Sequence, residues 1–263
     1  MTRAAALRGA DTADRLRAIA DMGAEGIDPI EEELDALVDC LGDARKVVQR
    51  RAAEACVGLL RRDVGLGGRL RAALGSCDAR VRWGAAYTLG LADEFSEATL
   101  DILAEGLGGD DGDIRWAALD LLKRSAAGAH ESVVARLAAL AAHGTAQQRK
   151  MALYGLRDLG VSDPAIAEAT ERALNATEAD VRLAAISILA RQPGDPRRAA
   201  AFLVELLGDR DRAIARAAAA ALGAVGERSA AVMAALERAR SGTDPALRRA
   251  AERSLRLLSR EED

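Results

Sequence analysis

The chain has 263 residues, of which 50% are hydrophobic, 30% charged and 2% aromatic, and its formal net charge at pH 7 is −4. The negative net charge argues against a general nucleic-acid binder, whose surface would carry a basic field. The chain opens on no signal-peptide pattern and contains no stretch of 18 apolar residues, which favours a cytoplasmic protein without a membrane anchor.

The first predicted element is an amphipathic helix at residues 11–22, where charged and apolar residues alternate with helical spacing. It lies within a predicted N-terminal cap at residues 1–26. A stack of repeats needs a polar end face to stay soluble. We therefore expect one capping helix at this end.

From residue 27 onward, a unit of about 33 residues recurs seven times. Steps of 33, 33, 34, 33, 33 and 33 residues lead from Val48 to the equivalent position of each later unit, ending at Leu247. We call this position the landmark of each unit. A period in the thirties with two apolar segments per unit indicates a helical solenoid. We predict an all-α fold, a right-handed α-solenoid of about seven two-helix repeats with an N-terminal capping helix.

Small and large apolar residues keep fixed places in the unit. The residue four places after the landmark is always alanine: Ala52, Ala85, Ala118, Ala152, Ala185, Ala218 and Ala251. Eleven places before it stand Leu37, Leu70, Leu103, Leu137, Thr170, Leu203 and Leu236. Adjacent helices approach closely only where the contact residue is small, and leucine then fills the layer between them. One domain over residues 1–263 is predicted, with repeats at about 27–61, 62–94, 95–127, 128–161, 162–193, 194–227 and 228–263.

The second helix of each unit has a recognisable start. An acid stands three residues before the landmark in five units, at Asp78, Asp111, Glu178, Asp211 and Asp244. Its carboxylate can accept the free amide hydrogens of the first turn, best where it is aspartate. An arginine follows one place after the landmark at Arg82, Arg115, Arg149, Arg182 and Arg248, where an i,i+4 ion pair with the acid is possible.

Four of the five prolines follow an aspartate, in Asp28-Pro29, Asp163-Pro164, Asp195-Pro196 and Asp244-Pro245. Proline is favoured at the first helical position because its missing N–H is not needed there. These dipeptides therefore predict an aspartate N-cap followed by a proline that begins the helix.

The repeat resembles the HEAT-repeat family, and within it the phycocyanobilin-lyase type of HEAT-like repeat. The segments Val81-Arg82-Trp83-Gly84-Ala85-Ala86 and Val181-Arg182-Leu183-Ala184-Ala185-Ile186 carry the resemblance, which covers roughly residues 27–260. It implies a HEAT/armadillo-like superhelix and a protein that binds other molecules. Because one fold supports many functions, the function must be inferred from particular residues.

Neither a cofactor nor a metal is expected. Cys40, Cys56 and Cys77 match no zinc spacing, and Cys56 occupies the core leucine position of its unit. His130-Glu131 is a single His-Glu dipeptide, whereas the HEAT-repeat deoxyhypusine hydroxylases bind iron through several. The chain also lacks a phosphate loop and a Gly-x-Ser-x-Gly motif. We therefore predict no catalytic residues.

One row of the solenoid holds all the tryptophan and tyrosine of the chain. If positions 0, +4 and +8 face the core, positions +2, +6 and +9 form the opposite stripe, on the concave side of a HEAT-type stack. In three consecutive units this stripe carries Trp83, Tyr87, Trp116 and Tyr154, framed by Asp120, Lys123, Lys150 and Arg157. Tryptophan and tyrosine dominate protein interfaces. We predict that these residues bind an extended peptide or a helix of a partner protein.

Three other interpretations stay open. The tryptophans can instead pack across to the adjacent repeat. The resemblance implies bilin-lyase or bilin-chaperone activity as an alternative, with Lys150 and Arg157 facing the propionates of a tetrapyrrole. Trp116 with Asp120 one turn later is similar to the cleft of HEAT-like DNA glycosylases, against which the acidic composition argues.

A second candidate surface lies in the last two units. Arg216, Arg249, Arg253 and Arg256 occupy the stripe positions there and form a local basic end. This row can meet an acidic partner. The alternative is an ordinary solvated helix face.

Overall fold

The structure is a computed structural model that describes residues 2–24, 28–62, 65–160, 164–192 and 194–259. Within these ranges it is all-helical and contains no strand, which confirms the predicted α-solenoid class. The helices are α1 (Arg3–Arg8), α2 (Thr12–Gly23), α3 (Glu31–Cys40), α4 (Lys46–Leu60), α5 (Leu66–Ala73), α6 (Ala79–Leu91), α7 (Glu97–Gly106), α8 (Gly112–His143), α9 (Ala146–Leu159), α10 (Pro164–Leu174), α11 (Ala179–Arg191), α12 (Pro196–Leu206), α13 (Arg212–Val225), α14 (Ala230–Arg240) and α15 (Pro245–Ser259). None of them is long and apolar enough to cross a membrane.

The chain forms two compact units, residues 1–130 and 131–263. The long helix α8 contains one residue with non-helical backbone angles, Ala129 (φ −134°, ψ 41°), immediately before this division. Two helices therefore meet at Ala129, as the repeat pattern expects. The predicted single domain and its repeat boundaries stay a prediction.

Each unit is built from two layers of helices. In the first unit, α2, α4 and α6 pack side by side, and α1, α3 and α5 form the other layer. In the second unit, α9, α11, α13 and α15 pack in sequence, while α10, α12 and α14 each pack on the helix that follows. The second helix of each repeat therefore contributes to one continuous layer within its unit.

The N-terminal cap is a pair of helices rather than the predicted single helix. Helix α1 packs on both α2 and α3, and α2 packs on α4, so the pair repeats the arrangement of a full repeat. The Thr2 hydroxyl caps α1 by accepting the amide of Ala5. With six residues, α1 is too short to show a helical period in the sequence.

The repeated alanines and leucines form the core. All seven alanines four places after the landmark have no exposed surface, and the six leucines eleven places before it are equally buried. Thr170 replaces the leucine in one repeat and is also buried, and its hydroxyl donates to the Ile166 carbonyl at 2.7 Å. A buried hydroxyl without a partner would destabilise the fold, and this internal bond satisfies it.

The predicted helix starts are confirmed for aspartate. The carboxylates of Asp78, Asp111, Asp211 and Asp244 accept backbone amides of the turn that follows, whereas Glu178 makes no such cap. The helices α10, α12 and α15 begin at proline as expected, although Asp163 lies outside the described residues. Pro29 is different, because α3 begins only at Glu31 and the Glu33 carboxylate accepts the Ile30 amide.

Among the described residues, none of the arginines one place after the landmark forms the suggested i,i+4 pair, and three of the five bind the turn before their own helix. Arg115 donates to the Gly109 and Asp110 carbonyls, at 2.7 Å each. The corresponding contacts are Arg82 to Ser76 and Cys77, and Arg182 to Ala176 and Thr177. The last carbonyls of a helix have no partner within it, so a guanidinium with five donors holds this turn better than an exposed ion pair would.

A buried carboxylate joins the cap to the first full repeat. The Asp43 side chain is 3% exposed, receives two hydrogen bonds from the Arg45 guanidinium at 2.8 Å, and also pairs with Arg15 of α2. The bonds from Arg45 hold the pKa of the Asp43 carboxyl well below its usual value. The ionised form is therefore the one that stabilises the fold.

This contact predicts a pH-dependent stability. Because the folded pKa of Asp43 is lowered, its contribution is present above the unfolded pKa of about 3.9 and is lost as the pH falls toward the folded value. Asp43→Asn is therefore expected to lower the thermal midpoint at pH 7 and to flatten the loss of stability between pH 5 and pH 2. Urea unfolding at several pH values measures both effects. Asp21→Asn, at an exposed site on α2, serves as control, and identical profiles for the two variants would contradict the prediction.

Candidate partner-binding groove

A groove of about 490 Å³ lies in the first unit, between α4, α6, α7 and the first turns of α8. It runs over the layer of second helices, so its floor is formed by the middle helix α6. Its walls come from the repeats on either side. The groove contains two of the side chains predicted to bind a partner, Trp83 and Tyr87.

Two aromatic residues form the floor. Trp83 and Tyr87 lie one turn apart on α6, with ring centroids 5.9 Å apart and planes inclined by 25°. Both side chains are half-buried, so each presents part of its surface to the groove. An offset stack of this kind fixes both rings and leaves a preformed apolar surface.

Trp83 also packs against the neighbouring repeat. A Cβ atom placed on Gly106 of α7 would lie 2.9 Å from Cζ3 of Trp83, which no real contact allows. The indole ring therefore fits only because residue 106 is glycine. This contact supports the packing interpretation for part of Trp83, while the rest of its surface lines the groove.

Ion pairs connect the two walls. Lys46 Nζ lies 2.7 Å from Asp111 and 2.9 Å from Asp113, and Arg50 lies 3.4 Å from Asp113. The cations belong to α4 and the acids to the start of α8, so the pairs pass over α6 and join alternate repeats. Hydrogen bonds between these partners raise the pKa of Lys46 and lower the pKa of Asp111. Since Lys46, Arg50 and Asp113 are exposed and Asp111 is only half-buried, each pair contributes little to stability by itself.

Trp116, on α8, is outside the groove lining and 55% exposed. It follows the wall residue Asp113 by one turn. Asp120 is exposed and Lys123 is half-buried on the same helix. The structure thus brings Trp83 and Tyr87 together on α6 and places the other three predicted residues of this unit beyond the groove.

The remaining residues of the predicted stripe belong to the second unit. On α9, the Arg157 guanidinium lies 5.0 Å from the centre of the Tyr154 ring, a cation–π distance, and also pairs with Asp158 at 2.8 Å. Lys150 pairs with Asp180 at 2.8 Å. Farther along, the basic row is exposed on α13 and α15, at Arg216, Arg249, Arg253 and Arg256.

The connecting ion pairs were not foreseen from the sequence. Lys46, Asp111 and Asp113 stand two, three and one places before their landmarks, so they share no single position of the repeat. Comparison of alternate repeats offers a signal, because Ala79 occupies the place of Lys46 in the repeat between them. A small residue at that point leaves space for the lysine to pass.

Among the described residues, no cluster of three or more histidine, cysteine or acidic side chains could hold a metal ion. His130 and Glu131 are exposed. Cys40 and Cys56 are buried and Cys77 is exposed in a turn. Burial raises the pKa of the Cys40 thiol to about 11, which keeps it protonated at neutral pH.

The chain is similar to a family of helical repeats and to several proteins of known structure. Residues 34–123 and 166–256 match the family model of HEAT repeats, whereas a comparison with curated proteins finds no match. An engineered protein of known structure is 21% identical, with a TM-score of 0.52 over 97% of this chain and 77% of the other. A chain in a structure of Kap95p binding RanGDP is 12% identical, with a TM-score of 0.61 over 97% of this chain and 40% of the other. Human deoxyhypusine hydroxylase is 17% identical over 99% of this chain and 95% of its own, with a TM-score of 0.41.

Proposed function

This chain belongs to the HEAT-repeat family, and from that premise we propose that it is a non-enzymatic scaffold that binds a segment of a partner protein in the groove of its first unit. HEAT repeats commonly serve in protein interactions. The phycocyanobilin-lyase subtype remains a prediction. No residue is assigned a catalytic role.

The exposure of Trp116 carries the proposal, because this residue follows the groove wall at Asp113 by one turn and a segment that leaves the groove along α8 would cover it. Exposed large hydrophobic side chains are few in the described part of the chain, and Trp116 is the only aromatic one. An aromatic side chain buries roughly 150–250 Å² when it is fully covered, and burial of apolar surface contributes about 25 cal/mol per Å². Covering the exposed half of Trp116 would therefore stabilise a complex by about 2–3 kcal/mol.

The dimensions of the groove fit a short segment. Its walls lie on α4 and α8, two helix spacings apart, and each spacing is about 8–10 Å. An extended peptide advances about 3.3 Å per residue, so five or six residues would cross the groove. Length thus favours a single linear motif or one face of a short helix.

The lining indicates the chemistry of that segment. The Trp83–Tyr87 floor accepts an apolar side chain, while Lys46, Arg50 and Asp113 offer both signs of charge at the wall. A segment with one apolar side chain between charged ones would satisfy both features. The other residues of the stripe stay predicted contacts of the partner. They are Asp120 and Lys123 in the first unit, and Lys150, Tyr154 and Arg157 in the second.

Peptide selection with site-specific cross-linking tests the proposal. Peptides of seven random residues would be selected on the whole protein, and a photo-reactive amino acid would then replace Trp116 in one variant and Ile30 in another. Both positions are exposed apolar sites, 55% and 61% respectively, but Ile30 stands at the start of α3, in the other layer of helices. We expect the selected peptides to cross-link to position 116 and not to position 30, as detected by mass spectrometry. Equal labelling, or labelling at position 30 alone, would exclude the groove.

The two alternatives produce different signals in the same preparation. A visible absorbance change on mixing with bilin would support a tetrapyrrole ligand. Salt-sensitive retention on DNA would support a nucleic-acid ligand. Neither signal is expected of a peptide-binding scaffold.

A further inference from the structure

Two neighbouring helices of the second unit carry a large excess of arginine. Helix α13 contains Arg212 and Arg216 and no acid, and α15 contains four arginines and one acid, Glu252. The four are Arg248, Arg249, Arg253 and Arg256. Six cations against one anion contrast with a formal net charge of −4 for the whole chain. The excess is therefore local to these helices.

Four of these arginines form one surface, the arginine face, which consists of Arg216, Arg249, Arg253 and Arg256. On α15, residues four and three places apart lie above one another, and all three arginines are exposed. The opposite side of α15 is buried at Ala251, Ser254, Leu255 and Leu258. The arginines thus point away from the core.

Close packing of α13 and α15 places Arg216 on the same surface. The Ser254 hydroxyl donates to the Ala219 carbonyl at 2.7 Å, and a Cβ on Gly223 would lie 2.6 Å from that hydroxyl oxygen. Arg216 is exposed on the side of α13 opposite the buried Ala218 and Leu222. Since α12 and α14 pack from the core side, these outer faces of α13 and α15 are adjacent.

Few acidic side chains of the described residues neutralise the face. Arg256 lies 3.8 Å from Glu252, a long contact, and Arg216 donates to the backbone of Arg212 at 3.1 Å and has a minor electrostatic interaction with Asp244. In the part of the chain that the structure describes, Arg249 and Arg253 have no ion pair. Like charges three and four residues apart on a helix repel each other, so an external anion would relieve a strain that the fold leaves in place.

We propose that the arginine face binds an acidic segment of a protein. Guanidinium groups pair with carboxylates through two parallel hydrogen bonds. Along α15 the arginines are spaced by about 6 Å and 4.5 Å, at 1.5 Å per residue, and alternate residues of an extended peptide are about 6.6 Å apart. Glutamates at alternate positions therefore approach successive guanidiniums. Leu257, exposed four residues after Arg253, adds an apolar contact beside them.

Nucleic acid fits this face less well. Single-stranded nucleic acid is held by aromatic side chains that stack on the bases as well as by cations. Neither α13 nor α15 contains an aromatic residue. The net negative charge of the chain further disfavours a polyanion much longer than the face itself.

The test compares two anionic probes on the whole protein. A fluorescent twelve-residue peptide of alternating glutamate and serine and a single-stranded oligonucleotide of equal charge would be titrated at 50, 100 and 200 mM salt. We expect the peptide to bind more tightly than the oligonucleotide and its affinity to fall with salt. Tighter binding of the oligonucleotide, or no binding of the peptide at 50 mM salt, would overturn the proposal.

Matched variants locate the binding. Arg249→Glu/Arg253→Glu/Arg256→Glu is expected to weaken peptide binding at least tenfold and to reduce its dependence on salt. The control, Arg191→Glu/Arg197→Glu/Arg238→Glu, makes the same change of net charge at exposed arginines outside the face and should stay within about twofold of wild type. Equal losses of peptide affinity in the two variants would show that net charge alone accounts for the effect. If the first variant does not fold, glutamine in place of glutamate in both triple variants, which keeps good helix formers and an equal change of net charge, gives the same comparison.

Discussion

Replacing Trp116 with alanine is expected to weaken binding of groove-selected peptides about thirtyfold or more while changing the thermal midpoint by no more than about 2 °C. An interface tryptophan typically contributes 2 kcal/mol or more to binding, which corresponds to this factor. Its indole is 55% exposed in the free protein, and changes at exposed positions usually alter the free energy of unfolding by less than about 0.5 kcal/mol. Peptide affinity and thermal midpoint, measured on the same preparation, separate recognition from packing.

Trp83→Ala provides the contrast. Trp83 stacks on Tyr87 and fills the space beside Gly106, so its removal should lower the free energy of unfolding by about 2 kcal/mol or more as well as weaken binding. If Trp116→Ala instead lost stability and kept its affinity, the exposed indole would not be a recognition residue. The packing interpretation would then extend to both tryptophans.

Gly84→Ala is expected to destabilise the first unit by about 1–3 kcal/mol, although alanine is the better helix former. Gly84 is buried in α6, and a Cβ there would lie 2.6 Å from the Leu41 Cβ and 2.7 Å from the Leu41 carbonyl oxygen. The obstacle is partly backbone and cannot rotate aside, so α6 must move away from the end of α3. Urea unfolding measures the loss.

Gly58→Ala is the matched control for this substitution. Gly58 also lies within a helix, α4, but a Cβ added there meets nothing within 4 Å. The same chemical change should therefore stabilise the protein, by up to about 1 kcal/mol, because glycine loses more backbone entropy than alanine on helix formation. Stabilisation by both substitutions would show that helix propensity, rather than the approach of α6 to α3, decides the outcome.

The sequence predicted the features that depend on the repeat alone. Ala118 and Leu103 are buried because their positions in the repeat face the core in every repeat. Asp78 and Asp211 cap helices because an aspartate at the start of a helix accepts the amides of the turn that follows it. Features of this kind need only neighbouring residues or the register. They were accordingly visible without coordinates.

Other features depend on distances between groups in space, which the positions of residues in the repeat do not determine. Arg115 donates to two carbonyls of the preceding turn rather than to Asp111, because the backbone of that turn brings its carbonyls within reach of the guanidinium. Helix α1 is too short to show a period. The candidate site was predicted in part, since Trp83 and Tyr87 line the groove, but the meeting of Lys46 with Asp111 depends on how closely alternate repeats approach.

The contacts of Lys46 and Arg50 with Asp113 also change how unfolding of the first unit should be described. Repeat stacks are usually treated as one-dimensional Ising chains in which each repeat couples only to its immediate neighbours. Here side chains link a repeat to the next but one, past α6. A statistical model of this unit therefore needs a next-nearest-neighbour coupling, and because its source is ionic, that coupling should vanish at high salt and leave an ordinary nearest-neighbour chain.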